Sequence, residues 1–324
     1  MSEPEAYRPA LHRYALVVAV ATAVLLFVGA LVTSTGSALA VPDWPLSFGQ
    51  VFPRMTGGVL FERGHRMVAA TVGLLTVVLA VWLWRAEPRR RVRRLGVAAL
   101  AAVVLQGVLG GVTVLLRLPV AVAMAHAGLA EIFFCLTAAI ALVTSRDWLE
   151  APEPVAESSR PSLRVLSAVT VVVVFAQVMA GALVRHTGAG LVIPDFPLAF
   201  GRIWPAGVSG LVAYQMLHRI GAAVVAVCAV WTVAATLRRH GSVRALRRPA
   251  LALALLLAWQ IYIGAAVIWT RRAVMPTSIH VLSGALVLVT SLILALRAGR
   301  LLAPAGARGD AATPSGPPAV PATV

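Results

Sequence analysis

The fold class this sequence predicts is an all-α membrane protein, with eight transmembrane helices arranged as two pseudo-symmetric four-helix bundles. Three observations predict it. Of the 324 residues, 60% are apolar and only 12% charged, with a mean hydropathy of +0.88. A soluble globular protein is about a quarter charged, so a soluble enzyme, a disordered chain and a secreted disulfide scaffold are all excluded. Next, eight apolar stretches reach the roughly 20 residues needed to cross a bilayer. Finally, one stretch of the chain recurs about 150 residues later with more than half of its residues identical.

The expected spans are 14–33, 64–84, 95–116, 120–143, 163–184, 210–236, 249–270 and 277–297. The first is long and lacks a small-residue cleavage site, so it reads as a span and not a signal peptide. Only Arg117-Leu118-Pro119 separates spans three and four, which makes them antiparallel neighbours. Residues 151–161 (APEPVAESSRP) read as a polar linker between an N-terminal unit, 1–150, and a C-terminal unit, 151–302. The Ala-, Pro- and Gly-rich tail, 303–324, cannot bury a core and is expected to be disordered. Cys135 and Cys228 lie inside apolar runs, where they read as small hydrophobes.

The formal charge of +16 comes entirely from arginine on the basic side, since the chain has no lysine. Sorted by position, 19 of the 28 basic residues fall in the segments before span one, between two and three, four and five, six and seven, and after eight. By the positive-inside rule that side is cytoplasmic, with both termini inside. The charge therefore reads as a topology signal and not as a nucleic-acid footprint.

Residues 29–53 and 181–205 are identical at 14 of 25 positions. Four spans per copy is an even number, so the copies share one orientation and form a parallel repeat. The repeated loops carry Pro-Asp-Trp-Pro and Pro-Asp-Phe-Pro, in which Asp43 and Asp195 read as turn residues and the loops as lids over the outer ends.

Seven histidines are present. His12 and His240 read as solvated and cytoplasmic, and His186 as an outer-loop residue facing Ser34 in the repeat. The other four form two matched pairs: His65 and His126 in the first copy, His218 and His280 in the second. Ionisable groups inside a span are costly and usually functional. Two facing imidazoles in a helical bundle suit a six-coordinate haem iron. Zinc needs three or four ligands, and a carboxylate di-iron site needs two Glu-x-x-His motifs; the sequence supplies neither.

One carboxylate breaks the symmetry. Glu62 sits at i, i+3 from His65, on the same helix face, where the second copy has Gln215. A carboxylate beside one iron can move protons or hold a reacting oxygen, so the first unit reads as catalytic and the second as holding a permanent cofactor. The competing reading of Glu62 is an ion pair with Arg66 on the protein surface. Arg66 and Arg219 are placed to reach haem propionates. Gly107 and Gly111 read as a small-xxx-small helix contact, Gln106 and Gln260 as inter-helix polar contacts, and Glu131 as an unmatched carboxylate within a span.

These features together resemble the haem A synthase family. The residues that carry the resemblance are Glu62-x-x-His65-Arg66, His126, Gln215-x-x-His218-Arg219, His280 and the two TG-x-x-L-x-x-PD-x-PL loops, over roughly residues 14–297. The resemblance implies an enzyme that oxidises the C8 methyl of haem O to a formyl group, making haem A for terminal oxidases. It implies His65 and His126 as ligands of the substrate haem, Glu62 as the catalytic carboxylate, and His218 and His280 as axial ligands of a haem b that relays electrons. It further implies a multi-pass protein of the cell membrane with its haem sites toward the outer face. Expected partners are the haem O synthase that supplies substrate, an electron-transfer partner and a second copy of the chain. Some members carry a cysteine pair in the first outer loop; this chain has none there, so a disulfide route for electrons is absent. A membrane b-type cytochrome passing electrons between quinol and a partner would explain the histidines but not the Glu62/Gln215 difference. A haem carrier or assembly factor would need no carboxylate either.

Overall fold

The computed structural model describes residues 7–51 and 53–304. Eight long helices among them are apolar enough to span a bilayer: α1 (Pro9–Ser34), α2 (Gly58–Ala86), α3 (Arg90–Leu115), α4 (Val120–Val143), α6 (Leu163–His186), α7 (Gly210–His240), α8 (Arg244–Trp269) and α9 (Val274–Leu301). Between the halves lie a one-turn helix, α5 (Arg146–Leu149), and a short strand, β1 (Val155–Glu157). β1 pairs in parallel with β2 (Leu302–Pro304), so Ala303 and Pro304 belong to an ordered strand and not to the expected disordered tail. The rest of that tail lies outside the described residues.

The helices are longer than the apolar windows that announce them. The α2 helix starts at Gly58, several residues before the expected span, because backbone i to i+4 hydrogen bonding continues past the stretch that lipid requires to be apolar. Phe61-Glu62-Arg63 is therefore helical, and Glu62 and Arg66 face each other one turn apart. For the same reason His186 is the last residue of α6 and not part of a loop.

The α3 and α8 helices stop in the same way. Arg117 and Leu118 (φ 58° and 63°), and Arg271 and Arg272 (φ 50° and 63°), are left-handed in succession. This turns the N–H of Leu118 back to the carbonyl of Thr113 at 2.8 Å, and that of Arg272 to Val267 at 2.7 Å. Each cap satisfies carbonyls the helix end would otherwise leave open, and lets the next helix return antiparallel.

In the first half α1, α2, α3 and α4 pack each on the next, and α4 returns to α1; α6 to α9 do the same in the second. Across the halves α1 packs on α9, and α4 on α6 and α9. Leu11, Val18, Leu79, Leu83 and Ile140 are buried in the first set, and Leu163, Leu246, Leu253 and Leu294 in the second. A third cluster, including Phe134, Ala138, Ala285 and Val289, fills the seam. Cys135 packs as a hydrophobe against both the second core and the seam, and neither cysteine is bridged.

The outward faces are as apolar as the core: Leu74, Val172 and Leu255 are 66%, 67% and 74% exposed. Inside, Thr22, Thr76, Thr170, Thr232 and Thr236 are buried. Thr22, Thr76 and Thr236 each donate to the carbonyl four residues back, at 2.8, 2.7 and 2.7 Å. Apolar surface outward and satisfied hydroxyls inward is the pattern of a chain solvated by lipid. This is a multi-pass membrane protein.

Candidate haem-binding site

Each of the four paired histidines sits against a glycine of the neighbouring helix. A Cβ on Gly29 would stand 3.0 Å from Cε1 of His65, and one on Gly181 would stand 3.1 Å from Cε1 of His218. On the other helices, a Cβ on Gly110 would stand 3.2 Å from Cε1 of His126, and one on Gly264 would stand 3.0 Å from Cε1 of His280. A Cβ at any of these positions would press on the ring, which would have to shift by a few tenths of an ångström. The sequence reading missed all four contacts, although Gly29/Gly181 and Gly110/Gly264 are matched across the repeat.

The two histidines of each half come close to one another, and in the second half their rings meet edge to face. The His218 and His280 centroids are 6.4 Å apart, with planes 85° apart; His65 and His126 lie within electrostatic reach of each other. A metal–imidazole bond is about 2 Å long, so one metal atom between two imidazoles needs roughly the separation seen at His218 and His280. The Nδ1 atoms of His65, His126 and His280 are buried without a hydrogen-bond partner among the described residues. No three His, Cys, Asp or Glu side chains gather into a metal-binding group among those residues. Paired buried imidazoles between packed helices fit a haem.

Over each pair lies a loop held by matched contacts. In the α1–α2 loop, Glu62 Oε2 accepts from the Val41 N–H at 2.8 Å. In the α6–α7 loop, Gln215 Oε1 accepts from the Ile193 N–H at 2.7 Å. Glu62 also pairs with Arg66 Nη2 at 2.6 Å, but this ion pair is buried, with the two side chains 13% and 5% exposed, and not a surface pair. Arg66 further donates to the carbonyls of Val41, Asp43 and Leu46. Arg219 donates to those of Asp195 and Leu198, at 2.6 and 2.7 Å. Both arginines thus act as loop clamps in this conformation.

Asp43 and Asp195 are turn residues, as their motif implies. Asp43 accepts from the N–H groups of Phe48 (2.8 Å) and Gly49 (2.9 Å), and Asp195 from Phe200 (2.8 Å) and Gly201 (2.7 Å). The donors at Gly49 and Phe48 hold the Asp43 carboxyl below its usual pKa; those at Gly201 and Phe200 do the same for Asp195. Phe48 and Phe200 are left-handed at φ 56° and 54°, which lets two successive N–H groups point at one carboxylate.

The glycines at 107 and 111 are not a helix-packing pair. Gly107 faces open space, while a Cβ on Gly111 would stand 2.5 Å from the Trp44 indole, so Gly111 seats the loop aromatic. The α3 face toward α4 is that of Gly110. Gln106 and Gln260 do link helices: they donate to the main-chain carbonyls of His126 and His280 at 2.9 and 3.2 Å. Glu131 is buried at 4% exposure, and its Oε2 has no hydrogen-bond partner among the described residues.

Other predicted positions land differently. His240 is partly buried with Nε2 3.3 Å from Glu157, and His12 Nδ1 lies 3.4 Å from the Thr144 hydroxyl, so neither is simply solvated. His186 lies within electrostatic reach of His126. Its neighbour Arg185 crosses the seam, donating to the Ala30 carbonyl at 2.7 Å and the Ser34 hydroxyl at 3.1 Å. Ser278 of α9 completes this link by donating to Ser34 at 3.0 Å.

Known proteins are similar in sequence along most of this chain. The chain is 36% identical over 249 residues to a protein named heme A synthase from Symbiobacterium thermophilum, covering 73% of this chain and 80% of that one. It is 32% identical over 266 residues to a heme A synthase from Geobacillus kaustophilus, covering 77% and 80%. It is 28% identical over 272 residues to one from Alkalihalophilus pseudofirmus, covering 83% and 91%. The model of the COX15-CtaA family, described as cytochrome oxidase assembly protein, matches residues 12–293, and the chain belongs to that family.

Proposed function

We propose that this chain makes haem A, oxidising the C8 methyl of haem O to a formyl group. The observation that carries the reading is the exchange of one group within a duplicated frame. Glu62 and Gln215 hold their loops through the same backbone contact, yet only Glu62 can ionise. In this reading the first four spans, with residues 1–150, take the substrate haem between His65 and His126. The second four, with 151–302, hold a haem b between His218 and His280. The bound haems supply the redox chemistry.

The chain's own groups orient, shield and handle protons. The four imidazoles would hold the haem irons, one pair in each half. The loops clamped by Arg66 and Arg219 would cover them, and a haem propionate could be met by these arginines only in exchange for their loop contacts. Glu62, one turn from His65, holds or delivers a proton through Oε1, the oxygen Arg66 now engages. The arginine bias of the connecting segments supports a cell-membrane protein with cytoplasmic termini and outward-facing haem sites. A haem O synthase, an electron-transfer partner and a second copy of the chain are the partners this activity suggests.

Co-expression with a haem O source, followed by pigment extraction and chromatography, tests the proposal. Haem A should appear in the extract. Unchanged haem O from a haem-loaded preparation would reject it.

A further inference from the structure

Three of the four paired histidines are held by one recurring device. Gln106-x-x-x-Gly110, Gln177-x-x-x-Gly181 and Gln260-x-x-x-Gly264 each lie on the helix preceding the histidine they serve. In each, the glutamine amide donates to the histidine's main-chain carbonyl: 2.9 Å to His126, 2.8 Å to His218 and 3.2 Å to His280. One turn further on, the glycine receives the imidazole edge of the same residue. Gln177 also lies 3.0 Å from Nδ1 of His218, and Ser283 hydrogen-bonds Gln260. Each of these three histidines is thus held at its main-chain carbonyl while its ring edge rests on a glycine, and only His218 also has a ring nitrogen in reach of the amide.

The fourth site keeps the glycine and lacks the glutamine. Gly29 faces His65, but the residue one turn earlier is Leu25, which packs into the apolar core of the first half. The unpinned histidine is the one at i, i+3 from Glu62. We infer that His65 is the releasable ligand of the four: it lets go of the substrate haem while His126 keeps hold. Two requirements of the proposed reaction point the same way. A substrate haem has to bind and leave, and a haem with both axial positions firmly filled has no open position for an incoming reactant. Releasing His65 would open that position on the face nearest Glu62. The second half, with both histidines pinned, is built to stay six-coordinate. This inference rests on the reading of His65 and His126 as ligands of the substrate haem.

Carbon monoxide, which binds ferrous haem only where an axial ligand has left, tests it on the purified full chain loaded with haem. In the wild type the first-site haem should take up carbon monoxide and the second should not. Leu25→Gln installs the missing pin and should slow uptake at the first site about tenfold, the worth of one inter-helix hydrogen bond, with haem content unchanged. Gln177→Leu, the reverse change, should make the second-site haem reactive. A haem-loaded Leu25→Gln protein with wild-type uptake overturns the inference, as does a Gln177→Leu protein whose second haem stays inert. Failure of the underlying haem reading looks different: neither His65→Ala nor His126→Ala would then alter the haem spectrum or content.

Discussion

Glu62 and Gln215 perform the same structural task with different chemistry: each draws a loop N–H, of Val41 or Ile193, onto a side-chain oxygen at 2.8 and 2.7 Å. Glu62→Gln should therefore preserve the loop and haem loading while removing the titratable group. Haem A formation should fall by about 100-fold or more, the usual worth of an acid–base group, with the haem absorption spectrum retained. Turnover near wild type would take Glu62 out of the chemistry.

His218 and His280 stand 6.4 Å apart between ring centroids. Replacing either with alanine should abolish the low-spin signal of the second haem in absorption and electron paramagnetic resonance spectra. The first-site signal should survive, and loss of both signals at once would assign the pair wrongly.

Gly111 leaves room for the Trp44 indole, and a Cβ there would stand 2.5 Å from it. Gly111→Ala should unseat the loop. Overpacking of this kind costs about 1–3 kcal/mol, and tryptophan emission should shift to the red as the indole gains water. An unshifted emission band would show that the loop adjusts without releasing its aromatic.

Each loop aspartate organises two backbone N–H groups, so Asp43→Ala should loosen the first loop alone and Asp195→Ala the second. Limited proteolysis should detect faster cleavage in the matching loop only. Cleavage in both loops from one substitution would mean the lids are coupled.

Glu157 links the segment between the halves to α6. Burial alone would raise its pKa, but the Leu163 N–H, the Ser159 hydroxyl and His240 together bring it below the ordinary glutamate value. A group depressed in the folded state stabilises above its unfolded pKa, about 4.3, and that contribution is lost as pH falls through the lower folded value. Thermal stability in detergent should therefore decline on acidification once the pH falls below the unfolded value of about 4.3. Glu157→Gln, which cannot titrate, should decline less steeply. Parallel curves would remove Glu157 from the acid response.

Much of this was legible in the sequence because lipid makes simple demands. A span must be long and apolar, an arginine inside it is rare, and a histidine inside it stands out. Those rules yield the eight helices, the repeat and the two histidine pairs. What escaped depends on how each helix is rotated about its axis. Gly107, Gly110 and Gly111 are equally small on paper, but only Gly110 faces His126, and only the packed helix reveals it. The apolar windows also hid His186 at the end of α6, because a hydropathy boundary marks where lipid stops and not where hydrogen bonding stops. For Glu62 the pairing with Arg66 was legible from the i, i+4 spacing, but its burial was not: the pair lies inside the protein and not on its surface.

The seam between the halves is built from α1, α4, α6 and α9, while α2 packs mainly on α1 and α3, and α7 on α6 and α8. A duplicated protein whose copies touch through only half of their helices is free to diverge on the other half. Glu62 lies on α2 and Gln215 on α7, so an exchange at either place needs no compensating change across the seam. The two copies could part ways in chemistry without disturbing the joint that keeps them together.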